Sequence, residues 1–440
     1  MPMNTTEKTT YAPFVRQYKD WYTFQQRGSF FLNFRFKLAS VDYQRISNTV
    51  NKLLQRREIL RAVFELNAKG CLVYRLLPVH SPLLAPIYID MPSSKATERL
   101  QQIEKDIEFT KLNEGPLFRC VVVTQGQPFL MVYVNHLIAN ARSVEVLKAD
   151  FKQLYIGQVL PVTYSFNEFA CNANKKLLKR YSSTFKHWQA VFNPIDPAII
   201  SQQDSKVPGL LTLEACHQQL SSEKYHIITT APGARPMYYD KQWHINDFET
   251  VSTLLPKLNI TWYSLLLTVF RYVVSNLNTQ YSLIGLLFDY RYSKYAADNI
   301  GEFTGEAYIP IESVECTLQQ IQHTNSWLIK SSAHLIFNYN LYHIHEPSLY
   351  RHCLGFFNFR RTPARFQDLS RFDNPGELDF LGFVLEPIMN LHPCGTLQAH
   401  WRFDANAIPV KQLVELDQHF GQTLQNTIAT LQAQAVAQPC

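Results

Sequence analysis

The chain has 440 residues, of which 46% are hydrophobic and 18% are charged, and its formal net charge is +6. One hydrophobic core rarely serves so many residues, so two domains are expected. Few charges and no long block of like charge argue against disordered acidic or basic tails. The mild positive excess is a weak indication of nucleic-acid binding and fits a small acidic partner equally well, so no nucleic-acid partner is expected.

The eight cysteines show no metal-like spacing and predict reduced thiols in a reducing compartment. The polar N-terminal stretch MPMNTTEKTT lacks the apolar segment of a secretory signal. The longest apolar stretches are too short and too interrupted to span a bilayer. We therefore expect a cytoplasmic protein with no membrane partner.

The first half of the sequence mixes strand and helix patterns. Asp42 is expected to cap one helix and Ser143 another, which runs to Tyr155. Alternating or apolar runs predict strands, two of them in a hairpin around the turn NAKG. The predicted strands are 30–38, 62–66, 71–77, 118–124 and 129–134, and the other predicted helices are 101–109 and a helical region 164–192.

The second half repeats this mixture after a polar stretch, 193–236, that includes an expected exposed loop, SQQDSKVPG. Helices are predicted at 262–277, 318–331 and 410–431, and strands at 281–288, 307–311, 354–358, 382–384 and 397–403. The order of elements in the two halves is broadly alike. We therefore expect two related α/β lobes, residues 1–175 and 176–440, although no sequence repeat supports the likeness.

The stretch VNHLIANARS, residues 134–143, follows a short apolar run and places His136 at the end of a predicted buried strand. A histidine in this position is either a general base or a side chain satisfied by backbone groups. Its sequence neighbours include two asparagines and no carboxylate that would orient the imidazole. The stretch is therefore a candidate active site of uncommon composition.

Several short motifs, in order, resemble the condensation domains of nonribosomal peptide synthetases, which belong to the chloramphenicol-acetyltransferase-like acyltransferase superfamily. NHLIANA, residues 135–141, stands at the family's HHxxxDG, and the other matches follow the family's order from about residue 11 to 431. They are QRREILRAVF (55–64) for RHExLRTxF, GPLFR (115–119), His187-Trp188 for the YW pair, residues 285–291 with IGEF (300–303), Phe357-Asn358, and WRFD (401–404).

The resemblance implies an α/β fold of two chloramphenicol-acetyltransferase-like lobes that form a pseudo-dimer with a central tunnel. It implies that His136, at the second histidine of the motif, is the catalytic residue. Ser143, Gly305 and Asn358 are expected along the substrate tunnel. A weaker resemblance is to plant-type acyltransferases, which have a single-histidine HxxxDG and a later DFGWG that DFLGF, residues 379–383, loosely echoes.

Four positions of the tunnel depart from the family pattern. Asn135 replaces the first histidine, Asn140 the aspartate and Ala141 the glycine, and Gly305 stands where asparagine is frequent. The family aspartate is thought to pair with the arginine that corresponds to Arg291. A buried arginine without a partner costs on the order of 3–5 kcal/mol. Asp289, two residues earlier on the same strand face, is a hypothetical replacement partner, and solvent exposure of Arg291 is the alternative.

The leading hypothesis is a free-standing acyltransferase of secondary-metabolite biosynthesis, expected to be monomeric. It joins an acyl thioester, borne by the phosphopantetheine of a carrier protein acting in trans or by coenzyme A, to a small-molecule amine or alcohol. No permanently bound cofactor and no metal are expected. The alternative is a catalytically silent docking module that binds a carrier protein or recruits a tailoring enzyme. A cyclisation or epimerisation variant is a third hypothesis.

Two further clusters are weaker candidates. One cluster contains residue types that bind metals, but an ordinary solvated loop explains it better. Its members are His343, His345, Glu346 and His352. The basic pairs Arg360-Arg361 with Arg365, and Lys175-Lys176 with Lys179-Arg180, suit either a phosphate or a solvated face.

Overall fold

The computed structural model describes residues 9–27, 30–108, 110–200, 235–277, 280–291, 293–312, 314–361 and 383–437. The expected loop SQQDSKVPG, Arg365 and most of the DFLGF stretch lie outside these residues, as does the first residue of the strand expected at 382–384. No helix among the described residues is both long and apolar enough to cross a membrane.

The first half of the chain builds a four-stranded sheet with helices packed on it. Its strand order is β1-β6-β5-β4, with β1 antiparallel to β6 and β4 parallel to β5. A separate hairpin pairs β2 with β3. The elements are α1 (Val15–Arg27), β1 (Phe31–Lys37), α2 (Tyr43–Arg56), β2 (Ala62–Leu66), β3 (Leu72–Leu76), β4 (Ile87–Ile89), α3 (Ser93–Glu108), β5 (Phe118–Val123), β6 (Phe129–Asn135), α4 (Ala141–Tyr155), α5 (Phe166–Lys179) and α6 (Tyr181–Phe192).

The second half builds a six-stranded mixed sheet of order β7-β12-β11-β10-β8-β9. Strand β10 runs parallel to both β8 and β11, and the other pairs are antiparallel. The elements are β7 (Pro236–His244), α7 (Phe248–Lys257), α8 (Trp262–Ser275), β8 (Leu283–Asp289), β9 (Thr304–Pro310), α9 (Leu318–Ser332), α10 (Glu346–His352), β10 (Cys353–Arg361), β11 (Leu385–Leu391), β12 (Thr396–Asp404) and α11 (Val410–Ala437).

The α/β architecture of two lobes predicted from the sequence is confirmed. The expected lobe boundary at residue 175 falls inside α5. The hairpin and the cap of α2 form as predicted, since the Asp42 carboxylate accepts a hydrogen bond from the backbone N–H of Arg45 at 2.9 Å. The predicted cap of α4 is wrong: α4 begins at Ala141, and Asn140 rather than Ser143 caps it.

The sequence patterns did not predict α1, β4, β7, α7 and α10, and the predicted helix 101–109 begins earlier, at Ser93. The predicted strand at 382–384 is also wrong for its described part, because β11 begins at Leu385. Two of the missed elements have a local physical cause. Strand β7 lies at the edge of the large sheet with largely exposed side chains, and α1 follows Phe14, which is not a usual capping residue.

One face of the six-stranded sheet is directed toward the first half of the chain. Side chains alternate along a strand, and the register places Asp289, Glu306, Arg360 and Arg402 on the same face. Glu306 contacts α1 and Asp289 contacts the loop before α4. The opposite face packs on α8, where the Phe270 ring contacts two rings of the sheet. Glu306 and Asp289 therefore lie between the lobes.

Candidate active site

The chain turns sharply where β6 ends, and Asn135 makes that turn. The Asn135 side-chain oxygen accepts a hydrogen bond from the backbone N–H of Leu137 at 2.8 Å, a short-range bond that asparagine forms readily. The next residue, His136, donates its backbone N–H to the carbonyl of Phe30 at 2.8 Å. Asn135 is fully buried, and its side chain shapes the backbone at the position of the family's first histidine.

A buried carboxylate lies against the imidazole of His136. Nδ1 of His136 is 2.9 Å from Oε2 of Glu302, whose side chain is 0% exposed, whereas the His136 side chain is 26% exposed. The other oxygen of Glu302 accepts the backbone N–H of Thr304 at 2.7 Å, which fixes the carboxylate. Among the described residues no hydrogen bond reaches Nε2 of His136. We call His136 and Glu302 the histidine pair.

The two members of the histidine pair shift each other's pKa values. Burial alone lowers the pKa of His136, but the Glu302 carboxylate outweighs burial, and the pKa is raised above its ordinary value of 6.5. Burial raises the pKa of Glu302, but His136 and Arg16 reverse this and hold the pKa below its ordinary value. When the imidazole is neutral, a carboxylate on Nδ1 favours the tautomer whose proton lies on Nδ1, which leaves Nε2 as the acceptor.

Helix α1 completes the surroundings of the histidine pair. Gln17 donates a hydrogen bond to the carbonyl of Leu137 at 2.8 Å, one residue after His136. Arg16 bonds Asp20 at 3.1 Å and Glu306 of β9 at 2.7 Å. The charges of Asp20 and Arg16 act in opposite directions on the pKa of His136, Asp20 raising it and Arg16 lowering it.

A second polar contact between the lobes centres on Arg291. We call Asn140, Ser143, Asp289 and Arg291 the arginine junction. The Asn140 oxygen accepts from the backbone N–H of Ser143 at 3.0 Å and from Nη2 of Arg291 at 3.2 Å, while its amide donates to Asp289 at 3.2 Å. Asn140 thus bridges a cation and an anion, which an aspartate, having no donor, cannot do.

The hypothetical ion pair of Arg291 with Asp289 is present in the structure. Nε of Arg291 lies 2.9 Å from Oδ2 of Asp289 and 3.1 Å from Oδ1. Nη1 donates to the carbonyls of Ala296 and Asn299 at 2.7 and 2.6 Å. All three nitrogens of the guanidinium group are engaged, so the charge that the family aspartate is thought to supply is replaced from within the second lobe.

The other altered positions have local explanations. Ala141 is the first residue of α4 and needs no positive φ, so a glycine is not required there. A Cβ atom on Gly305 would lie 2.8 Å from the Phe337 ring and 2.9 Å from Leu335. The asparagine that is frequent at Gly305 in the family is therefore excluded by packing in this chain.

The residues expected to line the tunnel differ in exposure. Ser143 is fully buried in the arginine junction, where its hydroxyl accepts from Nη2 of Arg291 at 2.8 Å and bonds the carbonyl of Gly301 at 2.7 Å. Gly305 is packed against side chains. Asn358 lies half-buried on β10, on the face that carries Asp289 and Glu306. Of the three, Asn358 alone keeps a partly exposed side chain.

The weaker candidate sites form no cluster of ligands. Among the described residues, no group of three or more His, Cys, Asp or Glu side chains is arranged to hold a metal ion. Nδ1 of His345 lies 2.7 Å from the Ser348 hydroxyl, and Nε2 of His352 lies 3.2 Å from Asp196. Each of these two histidines thus has a neighbouring side chain as its polar partner.

Sequence reasoning missed Glu302, although it belongs to IGEF, one of the stretches that resemble the family. The available signal was an ionisable residue inside an apolar run, since Ile300 and Phe303 flank it closely and both are 0% exposed. Such a residue is rarely buried without a partner. Its partner, His136, is 166 residues away in the sequence, so spacing could not identify it.

The family model described as "Condensation domain" matches residues 21–324, which is more than half of the chain. The chain belongs to the condensation-domain family. This family, found in nonribosomal peptide and polyketide synthetases, consists of acyltransferase-like proteins that form amide bonds. His136 and Glu302 both lie within the matched residues.

Individual relatives support the same family. The chain is 30% identical over 183 residues to one of the subunits of plipastatin synthase from Bacillus subtilis (strain 168). The match covers 39% of this chain and 7% of that protein, so the similarity is to a small part of a much longer relative.

Solved structures show the same fold. The condensation domain of the monacolin K polyketide synthase MokA matches with a TM-score of 0.67 at 12% identity, over 96% of this chain and 98% of that one. The epimerization domain from the third module of tyrocidine synthetase B matches with a TM-score of 0.67 at 15% identity, over 97% and 99%. The condensation-domain fold thus extends over nearly the whole chain.

Proposed function

We propose that this condensation domain is an active acyltransferase that forms an amide, or an ester, in secondary-metabolite biosynthesis. The donor is an acyl thioester on the phosphopantetheine of a carrier protein or on coenzyme A, and the acceptor is a small-molecule amine or alcohol. The observation that supports activity is the histidine pair, since a buried Glu302 carboxylate lies on Nδ1 of a partly exposed His136.

In the proposed reaction, the acceptor nitrogen or oxygen attacks the carbonyl carbon of the thioester. Nε2 of His136 takes the proton that the acceptor loses, and Glu302 stabilises the imidazolium that results. The tetrahedral intermediate then collapses, the carbon–sulfur bond breaks, and His136 returns the proton to the thiolate. The products are the amide or ester and a free thiol, with no net consumption of protons or electrons.

The docking-module hypothesis is based on the altered motif, and each alteration has a structural counterpart: Asn135 makes the turn after β6. Asn140 and Asp289 together engage Arg291, Ala141 begins a helix, and Gly305 is packed. A protein that serves only for docking has no need for a buried glutamate beside the one motif histidine. These observations favour the enzyme over the docking module.

The donor, on this proposal, arrives in trans on a carrier protein or coenzyme A, and the protein acts as a cytoplasmic monomer. The family's occurrence in synthetases that work with carrier domains supports a carrier-borne donor. No permanently bound metal or organic cofactor takes part, because attack, proton transfer and departure of the thiol need only the substrates and His136.

The experiment is product detection by mass spectrometry with a panel of acyl-carrier and acyl-CoA donors and amine or alcohol acceptors. We expect a condensed product with the wild-type protein and a loss on the order of 10³-fold in the His136→Ala variant. A matched control is His323→Ala, which lies on α9 away from the site and should leave turnover unchanged.

Equal turnover by wild type and His136→Ala, with the circular dichroism of both unchanged, would overturn the catalytic role of His136. Tight binding of a carrier protein with no product from any donor would instead favour the docking module.

A further inference from the structure

A cavity of about 500 Å³ lies between the C-terminal end of α2 and the segment 156–165 that joins α4 to α5. Neither residue of the histidine pair lines it. Its volume falls within the range of sites that take small molecules. The cavity belongs to no part of the proposed reaction.

One wall of the cavity is positively charged. Lys52, Arg56 and Arg57 line it. Both arginines direct Nε to the same oxygen, Oδ2 of Asp150, at 3.1 and 2.7 Å. The Glu58 carboxylate on the same wall is engaged by the Ser165 hydroxyl and by a backbone N–H. Three cations facing two engaged carboxylates leave the wall with a positive excess.

Arg57, one of the residues that line this wall, has a buried hydrogen-bond donor without a partner among the described residues. It is 2% exposed, and its Nη1 has no hydrogen-bond partner among the described residues. Burial lowers the pKa of Arg57, and the carboxylates of Asp150 and Asp298 only partly oppose this. A buried guanidinium N–H without an acceptor is costly, and an oxyanion that reached it from the cavity would supply the acceptor.

The opposite wall is apolar and partly projects into solvent. Leu154, Leu160 and Phe166 line the cavity, and Val159 and Val162 beside them are 96% and 99% exposed. Of the eleven large hydrophobic side chains exposed among the described residues, four fall between Ile156 and Tyr164. Such a concentration of exposed apolar side chains is typical of a binding surface.

We propose that this cavity binds an amphipathic anion, with its carboxylate or phosphate head on Arg56 and Arg57 and its apolar body against the segment 156–165. The site is separate from the histidine pair, and occupancy does not depend on catalysis. Carboxylate and phosphate heads share the chemistry that the arginines recognise, and they differ in charge and in the number of acceptor oxygens.

The test is isothermal titration calorimetry of the full chain with octanoate, octyl phosphate and octanol at low ionic strength. We expect at least one of the two anions to bind roughly 10-fold more tightly than octanol, which lacks the charge. The tighter of the two anions identifies the head group. Arg57→Lys, which keeps a cation for Asp150 but loses Nη1, should weaken the anion about 10-fold and leave octanol unchanged.

Val159→Asp provides a second variant, because a fully exposed side chain can change without loss of the fold. A carboxylate at the rim should weaken both anions. Lys105→Gln on α3 is the matched control for lost positive charge, and it should bind as the wild type does. His136→Ala should also bind normally, so a failure of this site is distinguishable from a failure of the proposed reaction.

The proposal is overturned if neither anion gives saturable heat up to about 10 mM, a concentration that corresponds to very weak binding. It is equally overturned if octanol binds as tightly as the anions, or if Lys105→Gln weakens them as much as Arg57→Lys does.

Discussion

The histidine pair and the arginine junction are both polar contacts between the same two lobes, yet they are built differently. Every nitrogen of the Arg291 guanidinium has an acceptor, and Ser143 and Asn140 are bonded on several sides. His136 has a partner on Nδ1, and among the described residues Nε2 is without one. A contact in which every donor and acceptor has a hydrogen-bond partner can only hold its shape. An imidazole nitrogen without such a partner can still accept a proton.

Stability and reactivity are thereby divided between the two contacts. Each holds a basic side chain against a carboxylate, which is 0% exposed in Glu302 and 36% exposed in Asp289. In the arginine junction burial raises the pKa of Asp289 and lowers the pKa of Arg291, and their mutual contact does not reverse either shift. In the histidine pair the partners do reverse the effect of burial. Burial thus sets the direction of the pKa shifts in the arginine junction, and the charged partners set it in the histidine pair.

Among changes to the partners in the two contacts, the largest expected effect comes from Glu302→Gln, which keeps an oxygen for the Thr304 N–H and removes the charge. The rate should fall on the order of 10²-fold. In the wild type the neutral imidazole forms as pH rises through the raised pKa of His136. Without Glu302, burial lowers that pKa, with Asp20 and Arg16 acting in opposite directions, so the ascending limb should move to lower pH.

The measurement is a pH–rate profile of kcat/KM for both proteins, beside their thermal unfolding. A purely structural role for Glu302 predicts a lower rate with the limb unmoved, and that result would contradict the assignment. Glu302→Asp should restore part of the rate, although its shorter side chain leaves the carboxylate farther from Nδ1.

A smaller effect is expected from exchanging the two polar partners of Arg291. Asp289→Asn removes the only carboxylate paired with Arg291 among the described residues and should destabilise the fold by about 1–2 kcal/mol, less than for a fully buried pair because the Asp289 side chain is 36% exposed. Adding Asn140→Asp returns a carboxylate at the family's usual position and should recover most of the loss.

Urea unfolding of the wild type, both single variants and the double variant gives the coupling free energy between the two positions. Additive effects, with no recovery in the double variant, would show that the two residues do not share Arg291.

The smallest expected effect is that of Ser143→Ala. The hydroxyl links Arg291 to the backbone of Gly301, so its loss should cost about 1 kcal/mol of unfolding free energy. Because Ser143 is fully buried, the KM of either substrate should stay unchanged. A raised KM with unchanged stability would instead place Ser143 on the substrate path.

The sequence was sufficient for the elements whose pattern is local. The cap at Asp42, the β2–β3 hairpin and the strand that ends just before His136 each depend on residues within a few positions of one another. The motif order predicted the family and the two-lobed fold. The ion pair of Asp289 with Arg291 was accessible because the two residues are only two positions apart.

The sequence was insufficient where function depends on distant residues. Glu302 contacts His136, which is 166 positions away, and no local sequence pattern predicts that contact. Asn140 was expected to be a loss, but its amide donates to Asp289 and its oxygen caps α4. These roles depend on the relative placement of two lobes, which periodicity and propensity do not determine.

Helix α1 has a consequence for how the molecule is assembled. Arg16 bonds Glu306, a partner 290 residues later, and Lys19 bonds the same carboxylate across 287 residues. During synthesis α1 leaves the ribosome long before β9 is made. Arg16 and Lys19 therefore remain without Glu306 as a partner until then. Contacts of such long range form slowly, and the bonds from α1 to Glu306 should be among the last to form during folding. The site would then mature only after both lobes have formed.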